Sequence, residues 1–137
     1  MKRAVLSAAV AAALIMLIAP LRVGDAQIPL PTAPAAAPDP ARLFTNQCGV
    51  CHTLDPNAAA RQGPMLRGVV GRQAASLRGF RYSPGFAASA AGVVWDEAKL
   101  DAYLTNPQAA MPGSVMAYRQ ANPATRAAII GYLKEQN

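Results

Sequence analysis

The sequence predicts a small all-α domain of short helices and Gly/Pro-rich loops wrapped around one bound rigid group. Three observations predict it. Apolar residues recur at helical spacing in three segments that begin behind Asp or Asn caps. Residues 55–86 are broken up by Pro56, Gly63, Pro64, Gly68, Gly71, Gly79, Pro84 and Gly85, which makes loops and turns that need something rigid to fold around. Both cysteines and the one histidine fall in five consecutive residues, Cys48-Gly49-Val50-Cys51-His52.

In chain order, Lys2 and Arg3 precede an apolar stretch from Ala4 to Ala19, and Gly24 and Ala26 offer a small-residue cleavage site before Gln27. Residues 1–26 therefore read as a secretory signal peptide. The rival reading is an uncleaved membrane anchor, although the stretch falls short of the roughly 20 apolar residues a spanning helix needs. Residues 27–40 form a Pro/Ala-rich linker with Pro29, Pro31, Pro34, Pro38 and Pro40, a composition that favours an extended, semi-rigid spacer. The folded domain is expected over 41–137.

The first helix is predicted from Pro40 to Cys48, with Asp39 as N-cap, Pro40 at its first position and Leu43, Phe44 and Gln47 at helical spacing. Residues 55–86 are expected to be loops with at most one short helical piece. A second helix spans Asp96 to Thr105, with acids in its first turn, Leu100, Tyr103 and Leu104 on one face, and Asn106-Pro107 ending it. The last helix starts at Asn122-Pro123 and runs through Ile129, Ile130, Tyr132 and Leu133. Phe44 is expected to meet Ile129 and Tyr132 where the first and last helices cross.

The C-x-x-C-H run is the haem-attachment pattern: each thiol adds to a vinyl group of the porphyrin, and the following histidine is placed to bind iron. Gly49 is expected to let the backbone between the sulfurs pass close to the ring. Three other chemistries compete. A thioredoxin-like redox pair needs a βαβ context that the sequence lacks, a structural zinc site needs four ligands where the chain supplies three of the usual kind, and a plain disulfide leaves His52 without a role. The chain carries 13 Lys+Arg against 7 Asp+Glu, a net charge of +6. Beyond residue 26 the excess falls to four, and haem propionates would halve it. The basic balance therefore does not argue for nucleic acid, and no aromatic-basic interleaving suits single strands.

From about Asp39 to Lys134 the chain resembles the class I cytochromes c, the mitochondrial-type family and its bacterial periplasmic relatives. The residues that carry the resemblance are Cys48-Gly49-Val50-Cys51-His52, Gly63-Pro64-Met65-Leu66, Gly71-Arg72, Gly79-Phe80-Arg81-Tyr82-Ser83, Gly92-Val93-Val94-Trp95, Tyr103-Leu104, Asn106-Pro107, Pro112-Gly113-Ser114-Val115-Met116 and Ile129-Ile130-Gly131-Tyr132-Leu133. The resemblance implies the cytochrome c fold around one covalently attached haem c. Iron would be bound by His52 and by the thioether of Met116, a pair that favours the ferrous state and closes both axial positions. Pro64 is similar to the residue whose carbonyl fixes the His52 tautomer. Arg72, Tyr82, Trp95 and Ser114 resemble the donors around the buried propionates, and Tyr103 resembles the core tyrosine near the methionine sulfur.

The function implied is one-electron transfer with no catalysis, between a quinol-oxidising complex or dehydrogenase as donor and an oxidase or reductase as acceptor, in the periplasm or secreted, with anchoring to the membrane if residues 1–26 stay attached. Two other classes fit the same motif: a haem subunit of a periplasmic dehydrogenase, and an enzyme or gas sensor whose iron keeps an open site. The chain departs from the family by placing Gln47, Gln108, Ala109 and Val115 where lysines often surround the haem edge. Its docking face is expected to be more apolar, built from Ala109, Ala110, Met111 and Val115 with Arg61, Arg67 and Arg119 at the rim. Tyr118 stands where the family often has phenylalanine, and the Pro84–Ala91 loop is longer and more apolar than usual.

Overall fold

Short helices here begin where a proline follows a capping side chain. The computed structural model describes residues 38–59 and 61–137. Asp39 accepts from the Ala41 amide at 3.0 Å and Pro40 opens α1 (Pro40–Gln47). Ser83 and Pro84 do the same for α2 (Pro84–Ser89), Asn106 and Pro107 for α4 (Pro107–Ala110), and Asn122 and Pro123 for α5 (Pro123–Lys134). Proline costs nothing at the first helical position because its missing N–H would be unpaired there, and its φ already suits the helix. Only α3 (Glu97–Thr105) lacks the proline, starting behind Asp96, whose carboxylate accepts from the Lys99 amide at 2.7 Å.

The all-α expectation holds: among the described residues there are five helices and no strand. Cys48 caps α1 rather than closing it, and Asp96 caps α3. Pro84–Ser89, read as apolar loop with room for one short helical piece up to residue 86, is α2, and the chain beyond Asn106 turns at once into α4, which the apolar spacing does not announce; both are shorter than two full turns, too short to show an apolar period.

The core joins the first and last helices of the described residues. α1 crosses α5 with the Phe44 and Tyr132 rings 5.7 Å apart, and Ile129 is fully buried beneath them, as the apolar spacing implied. α3 packs on both α4 and α5. The segments before and after α2 are held together by pairing: 71–74 runs antiparallel to 93–95, with the Gly71 amide on the Trp95 carbonyl at 2.7 Å and the Trp95 amide on the Arg72 carbonyl at 3.0 Å. That pairing sets Arg72 beside Trp95.

The expected signal segment and all but the last residues of the linker lie outside the described residues; Asp39 and Pro40 belong to the start of α1. Among the described residues no helix is long and apolar enough to cross a membrane.

Candidate functional site

The C-terminal end of α1 winds directly into the cysteine turn. The amides of Cys48 and Gly49 both donate to the Phe44 carbonyl, and those of Cys51 and His52 both donate to the Cys48 carbonyl at 3.1 and 2.9 Å. Two thiols and an imidazole are thus presented within one turn. Gly49 has a role in the turn itself: a Cβ at this position would lie 2.7 Å from the Thr45 carbonyl oxygen, so the turn packed on α1 excludes a side chain. The thiols are not joined to each other. Cys48 is buried, and burial pushes its thiol up to about 11, which keeps it protonated. Cys51 is half-buried and donates to Gln62 Oε1 at 3.3 Å.

The His52 ring is fixed from behind. Its Nδ1 lies 2.7 Å from the Pro64 carbonyl oxygen, which can only accept, so Nδ1 carries the proton and Nε2 is left with a free lone pair. Burial lowers the His52 pKa more than this bond raises it, which favours the neutral imidazole. The loop bearing Pro64 is fastened to the cysteine turn by Gly63 N–H to the Cys51 carbonyl at 2.7 Å and Leu66 N–H to the Thr53 carbonyl at 2.9 Å. Arg61 closes the turn from outside, donating to the carbonyls of Gly49 and His52.

Met116 is half-buried and packs against the core. Its amide donates to Ser114 Oγ at 3.3 Å, and its carbonyl accepts from Gln108 Nε2 at 2.6 Å. Ser114 is buried and its Oγ lies 2.7 Å from the Tyr103 hydroxyl. Burial raises the Tyr103 pKa, with the Ser114 bond opposing. An aromatic series lines this region: Phe80 on Tyr82, Tyr82 stacked on Phe86 at 5.6 Å, Phe86 on Tyr103, and Tyr103 against Trp95 at 5.1 Å.

The four expected propionate donors fall into two groups. Arg72 donates to the carbonyls of Met65 at 2.8 Å and Arg67 at 3.1 Å, beside Trp95. Burial raises the Tyr82 pKa, and the Leu77 backbone and the nearby Arg72 guanidinium oppose it. Burial lowers the Arg72 pKa, with Tyr82 opposing. Ser114 instead spends its hydroxyl on Tyr103 and the Met116 amide.

Met111, expected on an outer face, is only 5% exposed, with its sulfur 3.9 Å from Ser89 Oγ; it is a core residue. Val50, between the two cysteines, was not foreseen as surface yet is 79% exposed, and Val115 beside Met116 is 83% exposed. Sequence reasoning also missed Gln108 as a partner of Met116, since a glutamine in a four-residue helix carries no pattern.

The donor set suits a haem better than a chelated ion. Among the described residues no three His, Cys, Asp or Glu side chains converge to hold a metal, so the cysteine turn is not a zinc cage. Arg72 is a half-buried cation with, among the described residues, only carbonyl partners and no carboxylate, which leaves its charge for an anionic group.

No family profile matches the chain. Curated relatives do. Cytochrome c2 of Rhodomicrobium vannielii is 42% identical over 105 residues, covering 74% of this chain and 82% of its own length. Cytochrome c of Sesamum indicum is 40% identical over 95 residues, covering 69% and 84%. Cytochrome c-550 of Novispirillum itersonii is 38% identical over 95 residues, covering 63% and 86%.

Proposed function

We propose, from the premise that this chain belongs to the class I cytochromes c, that Cys48 and Cys51 hold its haem through thioether bonds and that His52 and Met116 are the axial ligands of the iron. Cytochromes c carry one covalently bound haem c with its iron and are electron carriers rather than enzymes, so the chain is a monohaem one-electron carrier. The haem, when bound, supplies the one-electron couple.

The observation that carries the ligand assignment is the Pro64 carbonyl on His52 Nδ1, which directs the unprotonated Nε2 away from the protein's own partner. Rigidity is what the chain adds. Electron transfer is fast when ligand geometry barely changes with oxidation state, and His52 is held by Pro64 while the Met116 backbone is held at both its amide and its carbonyl. Arg72, Tyr82 and Trp95 bind the propionates, where the uncompensated guanidinium offsets buried negative charge. Ser114 and Tyr103 act on the methionine side of the site instead, through their shared hydrogen bond.

The partners are redox proteins: a quinol-oxidising complex or dehydrogenase as donor and an oxidase or reductase as acceptor, met in the periplasm after removal of residues 1–26. The exposed Val50 and Val115, flanked by Arg61 and Arg119, support docking through apolar contact with light positive charge at the rim. In this arrangement charge speeds the encounter and apolar contact sustains a short-lived complex.

Covalent attachment is tested on denaturing gels stained for haem. The unaltered protein keeps its stain, each single variant Cys48→Ser or Cys51→Ser keeps haem on one remaining thioether, and the double variant loses it. Stain retained by the double variant would place the attachment elsewhere.

A further inference from the structure

The chain that carries Met116 has little backbone support. Among the described residues, Ser114 N–H to the Met111 carbonyl and Gln120 N–H to the Leu104 carbonyl are backbone bonds at its edges, and residues 115–119 make none. Side chains do the holding. Gln108, on α4, donates to the Met116 carbonyl at 2.6 Å and accepts from Arg119 Nη2 at 2.8 Å. Two residues beyond Met116, the Tyr118 hydroxyl donates to Gln47 Oε1, and Gln120 Nε2 donates to the same oxygen at 3.0 Å and to the Tyr118 hydroxyl at 3.1 Å. Gln47 is the last residue of α1, immediately before Cys48. The bonds therefore run from the element that delivers the cysteines to the segment that delivers Met116.

We propose that Gln108 on one side and the Gln47–Tyr118–Gln120 cluster on the other form a polar latch that holds the Met116 segment in place, making these four positioning residues for the thioether. The proposal rests on the reading of Met116 as an axial ligand. All of these bonds except Gln120–Tyr118 join the segment to α4 or to α1, so loss of Met116 from iron, which requires this segment to swing out, must break several of them together. Partly buried hydrogen-bond networks of this kind resist local opening more than their members do singly. The tyrosine ties the cluster together: a phenylalanine at 118 would keep the ring and lose the hydroxyl that bonds both Gln47 and Gln120, leaving Gln120 alone to reach Gln47.

The latch is tested by titrating the ferric holoprotein with imidazole and following the thioether-to-iron charge-transfer band as imidazole displaces the sulfur. Tyr118→Phe should bind imidazole about 2- to 12-fold more tightly, the range that follows from losing one net hydrogen bond between elements, Gln108→Ala, which loses two, at least as much more tightly, and the double variant more tightly still. Ile130→Val serves as the comparison. It removes one methylene from a buried α5 residue outside the hydrogen-bond cluster, lowering the melting temperature while leaving imidazole affinity where it was. This separates positioning from general destabilisation. Latch variants that show the band and bind imidazole like the unaltered protein overturn the latch and leave Met116 as ligand. Absence of the band from the unaltered ferric protein overturns the ligand reading and the latch with it.

Discussion

Replacing Met116 by alanine is expected to abolish the thioether-to-iron band of the ferric protein and to lower its reduction potential by a substantial share of the roughly 0.8 V that axial ligation spans. Thioether sulfur is a weak donor that favours the ferrous state, so removing it stabilises the ferric one. No other methionine of the folded domain stands ready to replace it. Met111 is buried with its sulfur against Ser89, and Met65 lies in the loop that backs His52, its own carbonyl occupied by Arg72. The fold should survive, because the bonds from Ser114 and Gln108 go to the backbone of residue 116. A variant with an unchanged spectrum and potential would refute the assignment.

Gly63→Ala is expected to be strongly destabilising. Its Cβ would lie 2.2, 2.5 and 2.7 Å from Cε1, Nδ1 and Nε2 of His52, distances no side chain tolerates. The ring cannot step aside, since Nδ1 is held by Pro64 and the residue sits in a turn wound on α1. Either the loop retreats and breaks the His52–Pro64 bond or the imidazole leaves its position. Overpacking of this severity costs about 3 kcal/mol or more, and at about 4–8 °C per kcal/mol for a domain of this size the melting temperature should fall by roughly 12–24 °C. Gly131→Ala makes the contrast: in α5 a Cβ meets nothing within 4 Å, and replacing a helical glycine gains about 0.5–1 kcal/mol. Thermal melts of the two variants should move in opposite directions. Equal melting temperatures would contradict the account of Gly63.

Three of the five helices were legible because capping chemistry and period agree: Asp39-Pro40, Asp96 and Asn122-Pro123 each announce a start, and enough residues follow to show an apolar face. α2 and α4 carry the same start signals, Ser83-Pro84 and Asn106-Pro107, without the length that makes a period visible. The cysteine turn could be read from spacing, since its chemistry lies within five residues. Pro64, Ser114, Tyr103 and Met116 came from family resemblance, because contacts across 11 or 12 residues of loop leave no periodic trace. Gln47 was legible as a residue at helical spacing and, like Gln108, as an absent lysine, but nothing in a sequence says which partner a glutamine amide will find. Met111, expected on the docking face beside Ala109 and Ala110, is taken inside by packing.

The central claim is that this chain closes both axial positions of its iron with its own side chains, His52 from one element and Met116 from another. The most direct test is to expose the reduced holoprotein to carbon monoxide at neutral pH and record the difference spectrum. A latched thioether leaves no position for the gas, and the spectrum should not change. Prompt formation of a carbon monoxide complex would contradict the account and return the chain to the class of open-site sensors and enzymes.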